Sequence, residues 1–202
     1  IQRNFRGAEM TLKKGRTAII AFIIICIIVA GYFLVIEIKK SRYPKEYEEY
    51  VVKYSNECNV PQEIVYAVIY CESGFNKDAV SPDGAIGLMQ IIPDTYDWLS
   101  RIIGESYAEG DIYIPENNIK YGVSYLAYLY KRFGNWDTAV AGYNAGHGKV
   151  SEWLSDSRYS DDGVILKKIP YKETDNYVVK VKKVKKIYIE LYFNENTSSE
   201  RK

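Results

Sequence analysis

Residues 17–36 form an uninterrupted apolar run that contains no charged side chain. As a helix, twenty residues at about 1.5 Å each span about 30 Å, which is the thickness of the hydrocarbon core of a bilayer. A core helix of this length in a globular domain would carry a polar face, and this run carries none. The sequence therefore predicts a single membrane-spanning helix over residues 17–37, preceded by a short basic segment, residues 1–16.

The apolar run is longer than the core of a signal peptide, and Ile-Val-Ala at residues 28–30 is a poor cleavage site. We therefore expect the span to be retained as an anchor. Charge does little to determine its orientation, because Lys39, Lys40, Arg42 and Lys45 nearly balance the basic residues before it.

The charge of the chain is unevenly distributed. Residues 1–40 hold seven Lys and Arg against two Glu, which leaves twenty basic and twenty-four acidic residues in the remainder. A net charge of about −4 on this main body argues against nucleic acid as a partner. With 47% apolar and 26% charged residues, the composition is that of a globular protein.

Histidine and cysteine restrict the chemistry further. The only histidine is His147, which excludes a multi-histidine metal site within this chain. We expect the chemistry to rest on carboxylates, hydroxyls, amides and the backbone. Cys58 and Cys71 could form a disulfide or remain buried thiols, and the sequence leaves both open.

Helical periodicity accounts for the rest of the chain, so the predicted fold class is all-α. A charged connector with Pro44, residues 38–46, precedes a helical domain over residues 47–193, and a polar tail, residues 194–202, ends the chain. The predicted helices of this domain cover residues 46–58, 61–73, 93–103, 116–133, 137–145 and 150–154, with a last one that starts at Thr174.

Glu72 lies on the apolar stripe of the second of these helices. Ile64, Val68 and Glu72 are spaced four apart and share one helix face, with Val65 and Ile69 beside them. A carboxyl group in apolar surroundings holds its proton near neutral pH, as a general acid must. The alternative is a glutamate at the end of a helix that extends into water.

Glu72 opens the first of four separated motifs in the sequence. They are Glu72-Ser73-Gly74-Phe75, then Ser81-Pro82-Asp83-Gly84-Ala85-Ile86-Gly87-Leu88-Met89-Gln90-Ile91, then Gly142-Tyr143-Asn144-Ala145-Gly146, and then Ile169-Pro170-Tyr171-Lys172-Glu173-Thr174-Asp175-Asn176-Tyr177-Val178. Their order and spacing resemble the catalytic domain of the soluble lytic transglycosylases, a lysozyme-like helical fold that cleaves peptidoglycan. The chain departs from that family at Gly142, where the family has Ala, and at Asp175, where it has Arg.

The resemblance implies that Glu72 is the catalytic acid and then base, and that the muramoyl 6-hydroxyl is the nucleophile. An internal nucleophile removes the need for the second carboxylate of ordinary glycosidases. Asp78, Asp83 and Asp94 are the nearest candidates for such a carboxylate, and we interpret them as loop and helix-cap residues.

Further roles carry over position by position. The resemblance implies a substrate-binding set: Ser73, Ser81, Gln90, Tyr143 and Asn144. It also implies a supporting set: Gly87, Met89, Glu173 and Tyr177. The alternatives are that Ser81 caps its own loop, that Met89 and Tyr177 are core residues, and that Glu173 caps the last helix. The resemblance implies no metal and no organic cofactor.

The expected function is therefore that of a membrane-anchored lytic transglycosylase. Its partners would be peptidoglycan glycan strands and, through residues 17–37, the cell membrane, with a single pass and the catalytic domain outside the cytoplasm. Two alternatives remain from the sequence: a goose-type muramidase that uses water as nucleophile, and a non-catalytic glycan-binding or scaffold protein on the same fold.

Overall fold

The chain divides into two units, Ile1–Pro44 and Lys45–Lys202. The computed structural model describes residues 2–106, 108 and 110–194, and the side chains of residues 16, 19, 20 and those from 22 onward. Of the polar tail predicted over residues 194–202, all but Asn194 lies outside the described residues.

The first unit is a single helix, α1 (Gln2–Arg42). It contains the run predicted to span a membrane and extends past the predicted boundary at residue 37, because nothing interrupts it before Pro44, and a residue that precedes proline is disfavoured in the α conformation. Within the described residues, Phe22–Arg42 is the one stretch long and apolar enough to cross a bilayer, and none of it is buried.

The second unit is helical, which confirms the predicted all-α class, and its described part contains three isolated β-bridges but no strand. Its helices are α2 (Glu48–Cys58), α3 (Gln62–Glu72), α4 (Pro93–Ile103), α5 (Pro115–Phe133), α6 (Trp136–Ala145), α7 (His147–Leu154) and α8 (Lys172–Tyr188). A 3-10 turn, Asp111–Tyr113, precedes α5, and a π-helix, Ile189–Phe193, continues α8.

Two helices begin two or three residues earlier than predicted. α7 begins at His147 instead of residue 150, since Gly146 (φ +83°) gives the chain a sharp turn after which it can start a new helix at once. α8 begins at Lys172, directly after Pro170-Tyr171, instead of at Thr174. α2 begins two residues later than predicted, at Glu48, because Tyr47 adopts a left-handed conformation.

Packing places α3 and α6 at the centre of the unit. α3 lies against α2 and α8, while α6 lies against α5, α7 and α8. α5 and α6 approach closely at Gly142, where a Cβ would lie 2.9 Å from the Phe133 ring. The glycine that departs from the family pattern therefore accommodates a large aromatic side chain.

Candidate active site

Glu72 is the last residue of α3, at the end of its most buried segment. Every side chain from Ile64 to Ile69 is buried, so the helix is fixed on all sides before it reaches the carboxylate. The helix ends when the Ser73 amide donates to the Ile69 carbonyl and Gly74 turns the chain with φ +59°. The carboxyl group is therefore held at the rim of the core, partly buried.

The surroundings of Glu72 alter its acidity. Burial raises the pKa of Glu72 from 4.5 to about 7, because desolvation disfavours the charged carboxylate. The Tyr177 hydroxyl, on α8, donates to Glu72 Oε1 at 2.5 Å, and this hydrogen bond opposes the rise in pKa. The Lys180 charge also opposes it; its ammonium group donates to the Cys71 carbonyl at 3.2 Å. The result is a carboxyl group that can hold or release a proton near neutral pH.

The side-chain amide of Asn118, a buried residue of α5, holds the loop between α3 and α4. Asn118 Oδ1 accepts from the Met89 amide at 2.8 Å. Its Nδ2 donates to the Ile86 carbonyl at 2.9 Å and to the Ile112 carbonyl at 3.0 Å. No role was predicted for Asn118, although a polar residue on the buried stripe of α5 indicates a buried hydrogen-bond partner.

Gly87 and Met89, both in the predicted supporting set, shape this loop. Gly87 has φ +79°, and a Cβ there would lie 2.5 Å from Asn118 Nδ2, so this position requires glycine. Met89 is fully buried against Gly122, where a Cβ would meet its sulfur at 2.3 Å. The two residues thereby fix the backbone of the loop between α3 and α4.

The side chain of Gln90 is oriented by the loop. Its Nε2 donates to the carbonyls of Ala79 and Gly87, at 3.1 and 2.9 Å. Because carbonyl oxygens only accept, the atom that faces them must be the NH₂ group. Gln90 Oε1 is therefore the atom left to accept a hydrogen bond from a ligand.

Tyr143 and Asn144 lie at the end of α6. The Tyr143 hydroxyl donates to the Met89 carbonyl at 2.8 Å. Burial raises the pKa of Tyr143 well above its ordinary value, and the nearby Glu72 charge adds to this rise, so the phenol stays protonated. Asn144 is exposed, and its Oδ1 accepts from the Thr174 hydroxyl of α8 at 2.7 Å. Thr174 is a further residue for which no role was predicted.

Ser73 and Ser81, both predicted to bind substrate, hydrogen-bond to the backbone. The Ser73 hydroxyl donates to the Leu88 carbonyl at 2.8 Å and joins α3 to the loop. Ser81 Oγ accepts from the Ala85 amide at 3.0 Å, which is the self-capping that the sequence left open for it.

A concave surface of about 230 Å³, here called the central groove, runs between the loop and α6. It is lined by Gln90, Ile91, Ile92, Thr95, Tyr125, Tyr143, Asn144, Ala145 and Gly146. A second depression adjoins it at Asn144 and Ala145 and contains the exposed Glu173. Glu173 thus lies in the first turn of α8, one helical turn before Tyr177, at the edge of the groove.

The cysteines are free thiols, so Cys58 and Cys71 do not form a disulfide. In the described part of the chain, no group of three His, Cys, Asp or Glu side chains is arranged to hold a metal ion.

Tyr177→Phe tests the hydrogen bond to Glu72. Removal of the hydroxyl takes away a donor that favours the carboxylate, so we expect the pKa of Glu72 to rise above about 7. A carbon-13 NMR titration of the Glu72 carboxyl would measure this rise. The control is Tyr143→Phe, which removes a hydroxyl bonded to Met89 instead. An unchanged or lower pKa in Tyr177→Phe would show that this hydrogen bond does not control the acidity.

The Transglycosylase SLT domain matches residues 49–165, more than half of the chain and the part that contains Glu72 and the central groove up to Gly146. This chain belongs to the Transglycosylase SLT domain family. The predicted resemblance is confirmed.

Individual relatives agree with this SLT assignment. The soluble lytic murein transglycosylase of Escherichia coli is 38% identical over 146 residues, which cover 70% of this chain and 23% of the relative. The membrane-bound lytic murein transglycosylase C of Serratia proteamaculans is 28% identical over 183 residues, 78% of this chain and 51% of the relative. The chain thus spans about a quarter to a half of the length of these relatives.

A solved structure shows the same fold. An inactive Glu-to-Gln variant of the lytic transglycosylase Slt from Pseudomonas aeruginosa matches with a TM-score of 0.68 and 34% identity, over 75% of this chain and 25% of that one. This match confirms the lysozyme-like helical class predicted for the SLT domain.

Proposed function

We propose that this chain is a lytic transglycosylase that cleaves the β-1,4 bond between N-acetylmuramic acid and N-acetylglucosamine in peptidoglycan. The observation that carries the proposal is a partly buried Glu72 carboxyl, bonded to Tyr177, whose pKa of about 7 suits both an acid and a base at neutral pH. The names of the SLT relatives, which are murein transglycosylases, support the same substrate class.

Glu72 would act first as an acid. Its protonated carboxyl donates to the glycosidic oxygen as the bond from that oxygen to C1 of muramic acid breaks, and the bonding electron pair leaves with the oxygen. Glu72 is then a carboxylate and removes the proton from the muramoyl 6-hydroxyl. That oxygen attacks C1, a 1,6-anhydro ring closes, and Glu72 is protonated again. No atom enters from water, and one carboxyl group suffices.

The neighbouring groups suit an N-acetylated sugar. Gln90 Oε1, left free by the orientation of its amide, can accept from an acetamido N–H in the central groove. With Asn144 Oδ1 taken by Thr174, Asn144 Nδ2 can donate to a sugar oxygen. Buried Gly87 and Met89 hold the loop backbone in place beneath the sugar.

The products decide the reaction type. We expect digestion of purified peptidoglycan by the full chain to yield 1,6-anhydromuramoyl ends, detected by mass spectrometry as species lighter by one water than reducing muramoyl ends. Reducing ends would contradict the transglycosylase reaction and identify a muramidase. Absence of any cleavage together with retained glycan binding would favour a non-catalytic protein.

We also propose that α1 anchors the protein in a membrane with a single pass and with residues 45–194 outside the cytoplasm, where peptidoglycan lies. The length and apolar exposure of Phe22–Arg42 support this arrangement, as does the relative named as membrane-bound. Protease added to intact cells stripped of their wall should degrade the catalytic unit and spare a cytoplasmic marker. Protection of the unit until the membrane is opened would reverse the orientation.

A further inference from the structure

The outer side of α8 carries a group of lysines around one apolar residue, here called the lysine face. It consists of Val179, Lys182, Lys183 and Lys186, all exposed. Offsets of three, four and seven residues from Val179 place these lysines on its side of the helix. The buried valines of α8 lie on the opposite side, against α3 and α6. The lysine face therefore belongs to the surface of the second unit.

The protein neutralises little of this positive charge. Residues 176–189 of α8 include five lysines and no acidic residue. Lys182 forms an ion pair with Asp137 of α6 at 2.7 Å. Within the described part of the chain, Lys183 and Lys186 have no carboxylate partner. The lysine face is therefore a surface that attracts a partner with several negative charges.

The chain enters the second unit at the end of α8 that lies closest to these lysines. The Lys45 ammonium group lies 5.9 Å from the centre of the Tyr192 ring and 5.5 Å from that of Phe193, in the π-helix that continues α8. Arg42, the last residue of α1, precedes Lys45 by three residues, a span of at most about 11 Å. Lys186 precedes Phe193 by seven residues, roughly 10 Å along a helix. The chain therefore tethers the lysine face close to the end of the apolar helix.

We propose that the lysine face binds an anionic phospholipid surface, so that the second unit lies on the membrane that α1 spans. This inference rests on the proposed anchor, because α1 is what brings lipid phosphates within reach of these lysines. Each lysine near such a surface strengthens binding about fivefold, and the tether keeps the lipid at a high effective concentration. Val179, which is 60% exposed, suits the boundary between headgroups and acyl chains.

Docking of α8 has a consequence for the active site. Tyr177 belongs to the same helix and hydrogen-bonds to Glu72, so a helix held on the lipid surface holds the catalytic carboxyl group at a fixed height above it. Glycan strands that run near the membrane would then be the ones within reach.

The test compares the full chain in lipid nanodiscs of phosphatidylcholine alone with the full chain in nanodiscs that also contain about one third phosphatidylglycerol, an anionic lipid. A pulse of acetylating reagent followed by peptide mass spectrometry measures the acetylation rate of each lysine. We expect the anionic lipid to slow acetylation of Lys182, Lys183 and Lys186 about fivefold or more. Salt at about 1 M should abolish this protection, because the Debye length falls to about 3 Å.

Lys120 is the internal control. It lies on α5 and pairs with Glu105, whereas α8 packs on α3 and α6, so its acetylation rate should be the same in both lipids.

A double variant, Lys183→Gln with Lys186→Gln, removes the two lysines that lack a carboxylate partner. We expect Lys182 then to be acetylated at the same rate in both lipids. The matched control is Lys131→Gln with Lys149→Gln, which removes the same charge from exposed positions on α5 and α7 and should leave the protection of Lys182 intact.

The outcomes separate the docking from the other proposals. Equal acetylation of the lysine face in the two lipids would overturn the docking. Protection by soluble polyphosphate in neutral nanodiscs, without protection by anionic lipid, would also overturn it and would indicate an anionic polymer as the partner. A chain that does not insert into nanodiscs would overturn the anchor and this inference with it. The products of peptidoglycan digestion, measured separately, decide the reaction.

Discussion

Replacement of Glu72 by Gln is expected to lower the rate of peptidoglycan cleavage by about 10³-fold or more, because one carboxyl group serves as both acid and base in the proposed reaction. Gln has nearly the same shape and can still accept from Tyr177, so glycan binding should persist. Release of soluble muropeptides from labelled peptidoglycan would measure the rate, and calorimetry the binding.

The control for this variant is Glu63→Gln, the same chemical change in the first turn of the same helix. It lies outside the site and should retain cleavage. Undiminished cleavage by Glu72→Gln would contradict the role of Glu72 as the acid and base of the reaction. A Glu-to-Gln change also defines the inactive form of the Pseudomonas aeruginosa relative named above.

Stability provides an independent measurement on the same variant. The folded pKa of Glu72, about 7, lies above its ordinary value of 4.5, so the unfolded chain releases this proton first as the pH rises. The contribution of Glu72 to stability is therefore complete below about pH 4.5 and is lost as the pH rises through about 7. Gln at this position does not titrate. At about pH 8 the free energy of unfolding of Glu72→Gln should therefore exceed that of the natural chain, by at most about 3 kcal/mol. Urea unfolding at both pH values would show the difference, and its absence would mean that Glu72 is not desolvated.

Replacement of Asn118 by Ala is expected to reduce the free energy of unfolding by roughly 3–5 kcal/mol, since it removes three buried hydrogen bonds to the backbone. The Met89 amide and the Ile112 carbonyl lose their partner, while the Ile86 carbonyl still accepts from the Ile91 amide at 3.0 Å. The loop that carries Gln90 would lose its attachment to α5, so cleavage should fall as well. Urea denaturation gives the free energy of unfolding.

Asn117→Ala is the matched control for this prediction. Asn117 is the preceding residue of α5, is only partly buried and makes one long hydrogen bond, 3.3 Å, to the Asp111 carbonyl. We expect its loss to cost about 1 kcal/mol or less. Equal losses in the two variants would show that the three bonds of Asn118 contribute no more than a surface contact does.

The sequence and the structure agree most closely on the helices. α4 was predicted to its residue bounds, and Val178, Val181 and Val184, which the helical period puts on one face of α8, are buried. The alternation of apolar and charged residues in α8 carries this information locally, because each side chain's face depends only on the helical period. The left-handed Tyr47 and the early start of α7 were not predicted, because each depends on a single backbone conformation.

The hydrogen bonds of the site were harder to predict from the sequence than the helices were. The motifs place Ser81 and Gln90 near a sugar, yet the structure uses the Ser81 hydroxyl and the Gln90 amide to hold their own loop. Asn118 bonds to the loop at Met89, and Thr174 bonds to Asn144. The residues next to Asn118 and Thr174 in the sequence do not indicate these partners. Such bonds join residues far apart in the chain, so they depend on how the helices pack.

The sequence by itself determined that this chain has a long apolar helix, an all-helical body and one glutamate on an apolar stripe among four family motifs. These are properties of local period and residue type. Only the tertiary structure decided the acidity of that glutamate. Tyr177 lies 105 residues further along the chain, and α8 brings its hydroxyl to 2.5 Å from Glu72, while the packed core removes water from the same carboxyl. Desolvation and a distant hydrogen bond act through space, and a linear sequence does not record those distances.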